Sequence, residues 1–408
     1  MTDHTPPTAA SQRRMRRLDS RLLLVAHPFA TRFVNTMRKR RVIKIPGLGV
    51  LLNDGTLMRK VLLDGTTYIK GGDAGAGPML DKAIGPYSLM NIDGEEHREL
   101  RRQIGPLTTP AKAREACAAT TDEHFAHFRD RMLAGEVMDA AQLAHVVAGA
   151  AVCYQVGVRK MGEELAAHAL EVHHHSTIVS SQMSVISWSI TDRKIRLVTK
   201  HIDAMTEPVR DAWAENDTTT IAGVLGSHGQ SWQNTRGVIA SYLLAGVDTS
   251  AAAMGRLMAL LIDGNVMPDL CADPKLIPQV VNEALRYLAP IPMFTRTITC
   301  PHQLGDTQVP AGVQLLPVVL NCLHDPHLLN NPNVLDIHRE IPKELRKLWF
   351  GAGQHFCPGQ ALANQILADA VRMMIELGPN LEIVRRKAAR KTLLPCYAKL
   401  ELRRPATT

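Results

Sequence analysis

Between residues 54 and 288 apolar positions recur at three- and four-residue spacing, broken by short polar stretches. The pattern predicts long helices over Ala111–Leu133, Met138–Gln155, Glu163–Val179 and Asp192–Ala214. The longest run extends from Trp232 to Ile262, behind Ser231 as an N-cap, and Asp263-Gly264-Asn265 stops it. A helix of about thirty residues is about 45 Å long, enough to cross the whole molecule. Elsewhere the period is two. Arg41–Ile45 and Gly49–Leu52 alternate around Pro46-Gly47, which predicts a hairpin. Met293 to Val319 carries short β-like runs with Pro-Ala-Gly and Gly-Asp turns, and Tyr397–Arg403 alternates like a last strand. No repeat or low-complexity linker divides the chain. The reading is one mainly α domain with small β-sheets over residues 21–408, behind a loose tail at residues 1–20.

Four stretches depart from what packing alone would choose. Inside the longest helix stands Leu243-Leu-Ala-Gly-Val-Asp-Thr-Ser250. Gly246 there weakens the helix by about 1 kcal/mol relative to alanine. Asp248 is a carboxylate in an apolar run, and the Thr249 hydroxyl can bond the carbonyl four residues back. Such a spot suits a small ligand in a helix groove, or else a surface-facing Asp-Thr. The segment Leu276–Leu288 carries an apolar stripe with Glu283 and Arg286 three apart, a spacing that usually marks a solvated pair. In Glu95–Arg102, His97 and Arg101 share one helix face and can clamp an anion, or simply decorate a charged surface. Finally, Phe350-Gly-Ala-Gly-Gln-His-Phe-Cys-Pro-Gly-Gln360 sets a cysteine between glycines ahead of an apolar helix start. Glycines let backbone N–H groups approach a thiolate, as an axial haem ligand requires, whereas a plain buried cysteine needs none of this.

Composition narrows the class. The 408 residues are 45% hydrophobic, enough for a large core. Lys and Arg number 47 against 39 Asp and Glu, a net +8, but only 4% of residues are aromatic and no basic block interleaves with them. That argues against nucleic-acid binding and for a basic patch facing an acidic protein. Seven scattered cysteines without a CxxC make neither a disulfide framework nor a zinc site, and suit a reducing cytoplasm. The apolar run Leu22–Ala26 is far too short for a membrane anchor. His173-His174-His175 cannot converge on one ion, because neighbours on a helix point about 100° apart; a solvated face is expected.

Phe350, Gly353, His355, Cys357 and Gly359 resemble the haem-binding signature of the cytochrome P-450 superfamily. Ala245-Gly246-Val247-Asp248-Thr249 resembles its oxygen-activating helix, and Glu283-Ala-Leu-Arg286 its ExxR motif. Order and spacing match too, and His97…Arg101 is similar to the soluble bacterial, actinobacterial-type branch. The resemblance implies the cytochrome P-450 fold, with haem b (iron protoporphyrin IX) between the long central helix and the cysteine loop. It implies Cys357 as the thiolate on iron, with Phe350, Gly351 and Gly359 around it. His97, Arg101, Arg296 and His355 would bind the propionates. Ala245 and Gly246 would line the oxygen pocket, and Thr249 with Asp248 would deliver protons. Glu283 and Arg286 would be structural. Two departures stand out. Val334 occupies the place of the arginine that usually completes the Glu283–Arg286 triad, leaving His338 or Arg339 to substitute. Pro358 removes one N–H donor next to the sulfur, which predicts a more electron-rich thiolate and a lower haem potential.

The implied activity is a monooxygenase, placing one atom of O2 in a medium-sized hydrophobic molecule by hydroxylation or epoxidation. No flavin or nicotinamide fingerprint is present, so a ferredoxin and a ferredoxin reductase would supply electrons. Arg98, Arg101 and Arg102, with Lys343, Arg346 and Lys347, would form the basic dock. Substrate contacts are expected from Met183, Ile186, Ile291, Met293 and Phe294, with the glycine-rich Lys70–Leu89 loop as a gate, in a monomer. Oxidative coupling, peroxide-driven chemistry and non-catalytic haem binding are the alternatives. Asp248 and Thr249 favour oxygenation, since the others have little need of that pair in a helix interior.

Overall fold

The computed structural model describes residues 8–72, 77–85, 87–182, 191–390 and 392–405. Everything is built round the central helix Trp232–Asp263, whose N-terminus is capped by the Ser231 hydroxyl accepting from the Asn234 N–H at 3.2 Å. Val238–Leu244 and Ser250–Leu261 are buried all round, as a helix crossing the middle of a large protein must be. By length and composition this one described helix could span a bilayer, but most of it is covered by the rest of the molecule. Its main partner is the helix Ala140–Val156, also apolar on nearly every side. A side chain at Gly246 would put its Cβ 3.1 Å from Val152, so glycine lets these two helices approach.

The other long periodic runs are helical with breaks that periodicity alone hides. Ala111–Leu133 is two helices, Pro110–Thr120 and Asp122–Leu133, and the Thr121 hydroxyl donates to the Cys117 carbonyl at the joint. Asp192–Ala214 breaks at Pro208, where a 3-10 turn, Glu207–Val209, separates Asp192–Thr206 from Arg210–Ala214. The run expected from Met138 starts with a two-residue strand before its helix. Where a loose tail was expected over residues 1–20, the chain is helical from Ala9 to Ala26. Met15, Leu22 and Leu23 bury one face, and Asp19 pairs with the buried Arg256 of the central helix at 2.8 Å. Five arginines mask that apolar spacing in the sequence.

The hairpin is present, with Val42–Ile45 antiparallel to Gly49–Leu52. It belongs to a five-stranded sheet continued by Gln314–Pro317, Arg296–Ile298 and Tyr68–Ile69. Gly49–Leu52 runs parallel to Gln314–Pro317, Val50 opposite Leu315. Gly49 has φ +119°, and a Cβ there would sit 2.2 Å from the Gln314 carbonyl oxygen, so only glycine fits. Tyr397–Arg403 pairs between Glu382–Ala388 and Met138–Asp139 in a second sheet. Arg296 in the five-stranded sheet, and Lys70 directly after its strand Tyr68–Ile69, lie within electrostatic reach of His355 in the cysteine loop.

Candidate active site

The cysteine loop precedes the helix Gln360–Leu377. Gly351 and Gly353 hold positive φ, +81° and +69°, and a Cβ at Gly353 would lie 2.4 Å from the Leu62 carbonyl oxygen. The Cys357 N–H donates to the Phe350 carbonyl at 3.0 Å, closing the loop on itself. Phe350 and Phe356 meet edge to face at 6.4 Å. Burial raises the Cys357 thiol above its ordinary pKa, while the Gly359 N–H and Arg101 pull it back. Burial disfavours the bare thiolate, and coordination to a metal is what would deprotonate it. Pro358 offers no N–H, so Gly359 provides the donor.

His97, Arg101, Arg296 and His355 come together beside this loop. The helix Gly94–Ile104 presents His97 and Arg101 one turn apart, and Arg101 lies within electrostatic reach of both His97 and Cys357. The rings of His97 and His355 approach to 4.3 Å. Arg296 is buried, and the only hydrogen bond of its guanidinium among the described residues goes to the Thr295 carbonyl at 2.8 Å. Two residues outside the expected set join them. Lys70 is pushed down to about 7, by burial and then by Arg296. Asp93 sits at the N-cap of the His97 helix without capping it. Its carboxylate instead accepts from His355 at 2.8 Å and from the Lys70 and Gly71 N–H groups, both at 2.8 Å. Aspartate before Gly-Glu-Glu reads as an ordinary cap, so its diversion was hidden.

One carboxylate cannot satisfy this many donors. Burial, then His355 and Arg101, drive His97 down to about 4, and its Nδ1 is sealed from solvent with no partner among the described residues. Arg296 falls to about 10, chiefly by burial. Arg101 has no hydrogen bond or ion pair among the described residues. Surplus donors aimed at one place suit a ligand with carboxylates of its own. The porphyrin propionates fit.

On the central helix Ala245 is open although its neighbours Leu243, Leu244 and Val247 are buried, which marks a cleft. The Thr249 hydroxyl donates to the Ala245 carbonyl at 2.5 Å. Gly246 presents its bare side to Val152 rather than into that cleft. Asp248 does not bond Thr249. It turns toward neighbouring helices, accepting from Ser176 Oγ at 2.7 Å and lying 2.7 Å from His173 Nδ1. The expectation of a solvated face for His173-His174-His175 is therefore corrected. Only His174 is exposed; His173 points inward and His175 pairs with His201 at 2.8 Å. A helix with acidic, apolar and histidine positions mixed this way gives no sequence cue to which imidazole turns in.

Glu283 and Arg286 are fully buried rather than a solvated surface pair, bonded twice at 2.7 and 2.8 Å. Arg286 also donates to the carbonyls of Leu323 and Pro332. Arg339 reaches Glu283 at 3.1 Å, and exposed His338 does not take that place. Of the substrate candidates, Met183 and Ile186 lie outside the described residues, as does part of the Lys70–Leu89 loop. Ile291 and Phe294 are half-buried, and Met293 packs on Leu51, Leu316 and Val318 as core does. In the dock, Arg98 and Arg102 pair with Glu95 and Glu99, while Lys343, Arg346 and Lys347 are exposed.

Comparison with known proteins agrees with this arrangement. The family profile described as Cytochrome P450 matches residues 48–376. The chain is 29% identical to cytochrome P450 CYP105Q4 of Mycobacterium marinum over 73% of this chain and 71% of that one. It is 26% identical to cytochrome P-450 monooxygenase DoxA of a Streptomyces species, over 77% and 78%. Among solved structures, CYP109E1 from Bacillus megaterium in complex with testosterone superposes with a TM-score of 0.77 at 18% identity, covering 94% of this chain and all of that one. A mutant of P450 EryK in complex with erythromycin B gives 0.75 at 20% identity, over 97% and 99%. With the profile spanning most of its length and the cysteine loop, central helix and buried Glu283–Arg286 pair in one fold, the chain belongs to the cytochrome P450 family.

Proposed function

We propose that this cytochrome P450 monooxygenase uses Asp248 and Thr249 to feed protons to O2 during oxidation of a medium-sized, largely hydrophobic molecule. The observation that carries the reading is the Thr249 hydroxyl on an open patch of an otherwise buried helix, with Asp248 the preceding residue and turned toward His173. When bound, haem b supplies the redox chemistry of O–O cleavage, favoured by a thiolate that pushes electron density toward iron. Cys357 is the residue that would hold the iron, and His97, Arg101, Arg296, His355 and Lys70 would hold the propionates. Phe350, Gly351 and Gly359 shape the loop around the sulfur.

The protein's own part is positioning and proton supply. His173 is half-buried, and its Nδ1 meets Asp248 Oδ1. A proton from solvent can therefore pass through His173 to the Asp248 carboxylate. Rotation of the Asp248 side chain toward the cleft then hands it to the Thr249 hydroxyl. Thr249 in turn gives up its bond to the Ala245 carbonyl and presents its O–H to the cleft. Gly246 keeps the helix close to Val152 while this pair moves. Electrons come from separate proteins, and we assign them to an acidic ferredoxin with its reductase, in the cytoplasm. The dock is reduced to the exposed Lys343, Arg346 and Lys347, with Arg59 alongside through its bond to the Glu344 carbonyl at 2.8 Å.

The first test is absorbance of the reduced protein under carbon monoxide: a far red-shifted Soret band is expected, and no haem colour rejects the reading. Substrate screening by the low- to high-spin shift follows. With a substrate found, Thr249→Ala should divert electrons from product to peroxide, and unchanged coupling would exclude the proton role. Neutralising Arg346 and Lys347 should slow reduction and flatten its dependence on ionic strength; equal salt dependence would exclude the dock.

A further inference from the structure

The inward turn of His173 places three metal-ligating groups in one spot, on three different helices and away from the cysteine loop. His145 comes from Ala140–Val156, His173 from Gly162–Gln182 and Asp248 from the central helix. One ligand atom from each lies within 4.8 Å of the other two. We propose that His145, His173 and Asp248 form a site for a divalent transition ion of zinc type, separate from the haem iron.

Three observations support the site. The Nδ1 of His145 is sealed from solvent and has no hydrogen-bond partner among the described residues, which leaves a buried lone pair or N–H without a use. The carboxylate is supported from behind by the Ser176 hydroxyl on Oδ2 at 2.7 Å, the type of bond that fixes a ligating carboxylate. The groups also border a small cavity of about 20 Å³, lined further by Thr177, Ser180, Thr392 and Cys396. That is room for one ion or one water.

The donor set selects the ion. Two imidazole nitrogens with one carboxylate suit zinc, copper or nickel, whereas magnesium and calcium take all-oxygen shells. Zinc bonds at about 2.0–2.2 Å place neighbouring ligand atoms roughly 3.3 Å apart in a tetrahedron. The His145 and His173 rings stack at 3.6 Å with 26° between planes, so one ion cannot lie in both ring planes as they stand, although a ligand atom of each lies within 4.8 Å of the other. A turn of each ring about its last torsion, which is soft for histidine, converges them. His173 exchanges its hydrogen bond with Asp248 for the metal by shifting its proton to the other ring nitrogen, so it releases none. A second pair, His175 and His201, meets at 2.8 Å but makes no hydrogen bond to a carboxylate among the described residues and serves as the internal control.

An ion in this site holds Asp248 away from Thr249, so zinc should inhibit oxygenation. This consequence rests on the proton role given to Asp248 above, whereas binding does not. The experiment is calorimetric titration of Zn2+ into untagged, metal-stripped holoenzyme. One site is expected in the parent, with at least tenfold weaker affinity in His145→Ala and in His173→Ala, and no such loss in His174→Ala or His201→Ala. Unchanged affinity in His145→Ala, or loss of the tight site in His201→Ala alone, overturns the proposal. The carbon monoxide band of each variant checks that its haem pocket is assembled. If His173→Ala fails that check, His145→Ala and His145→Gln decide the matter. Turnover with and without zinc separates the two readings: binding without inhibition leaves the site standing and refutes the role of Asp248.

Discussion

Arg339→Leu is the sharpest test of how the segment leading to Cys357 is locked. Glu283 has no exposed side-chain surface, and its carboxylate is held by Arg286, by the Asp336 N–H at 3.1 Å and by Arg339 at 3.1 Å. Arg339 further donates to the carbonyls of Asn330 at 2.8 Å and Asn331 at 3.1 Å. Removing it deletes one hydrogen bond to a buried charge, worth about 1.5–3 kcal/mol, and frees carbonyls that water can partly satisfy. The expected loss is about 2–4 kcal/mol. Arg286→Leu should exceed it, at about 3–5 kcal/mol, because it strands most of a buried charge. Arg339→Lys should fall between leucine and the parent, since a point charge cannot reproduce the fork to several carbonyls. Exposed His338→Ala should stay within about 0.5 kcal/mol, as surface changes do. Equilibrium urea unfolding of the holoprotein followed by far-UV circular dichroism measures each, and the carbon monoxide band reports whether the thiolate survives. A loss under about 0.5 kcal/mol for Arg339→Leu, or no coupling in the cycle with Glu283→Gln, would show that Arg339 is not the third member of the triad.

Gly353→Ala, at φ +69° with the Leu62 carbonyl 2.4 Å from the new Cβ, should distort the loop and convert much of the carbon monoxide band to the form without thiolate; a parental spectrum would contradict the strain argument. Pro358→Leu restores an N–H beside the sulfur and should raise the haem potential in spectroelectrochemistry, an unchanged potential refuting the tuning idea. His324 is buried and held to about 3, by desolvation and then Arg286. It is neutral in the fold while the unfolded chain takes a proton below about 6.5, so its contribution is intact above that pH and is lost progressively toward 3. At pH 5 the loss is about 2 kcal/mol for this one group, and His324→Gln should shrink the drop in unfolding free energy between pH 7 and 5; identical drops would rule it out.

Much of this protein is legible in its sequence because the relevant chemistry is local. Helical periodicity predicts the central helix and its Ser231 cap, since both depend on neighbours within one turn. Pro46-Gly47 between alternating strands marks the hairpin for the same reason. The cysteine loop is readable because Gly351 and Gly353 need backbone conformations that side chains forbid. What long-range packing decides stays hidden. Whether Glu283–Arg286 is a solvated pair or a buried lock depends on residues some fifty positions away, and so does the choice of Arg339 over His338. Asp93 reads as a helix cap until the fold brings His355 within 2.8 Å of it. His173, His174 and His175 are identical letters in a row, and only the packing of three helices turns the first toward Asp248, leaves the second in water and pairs the third with His201. Sequence sets which residues a helix carries; tertiary contacts, whose energies depend on burial and on partners far along the chain, decide what each of them does.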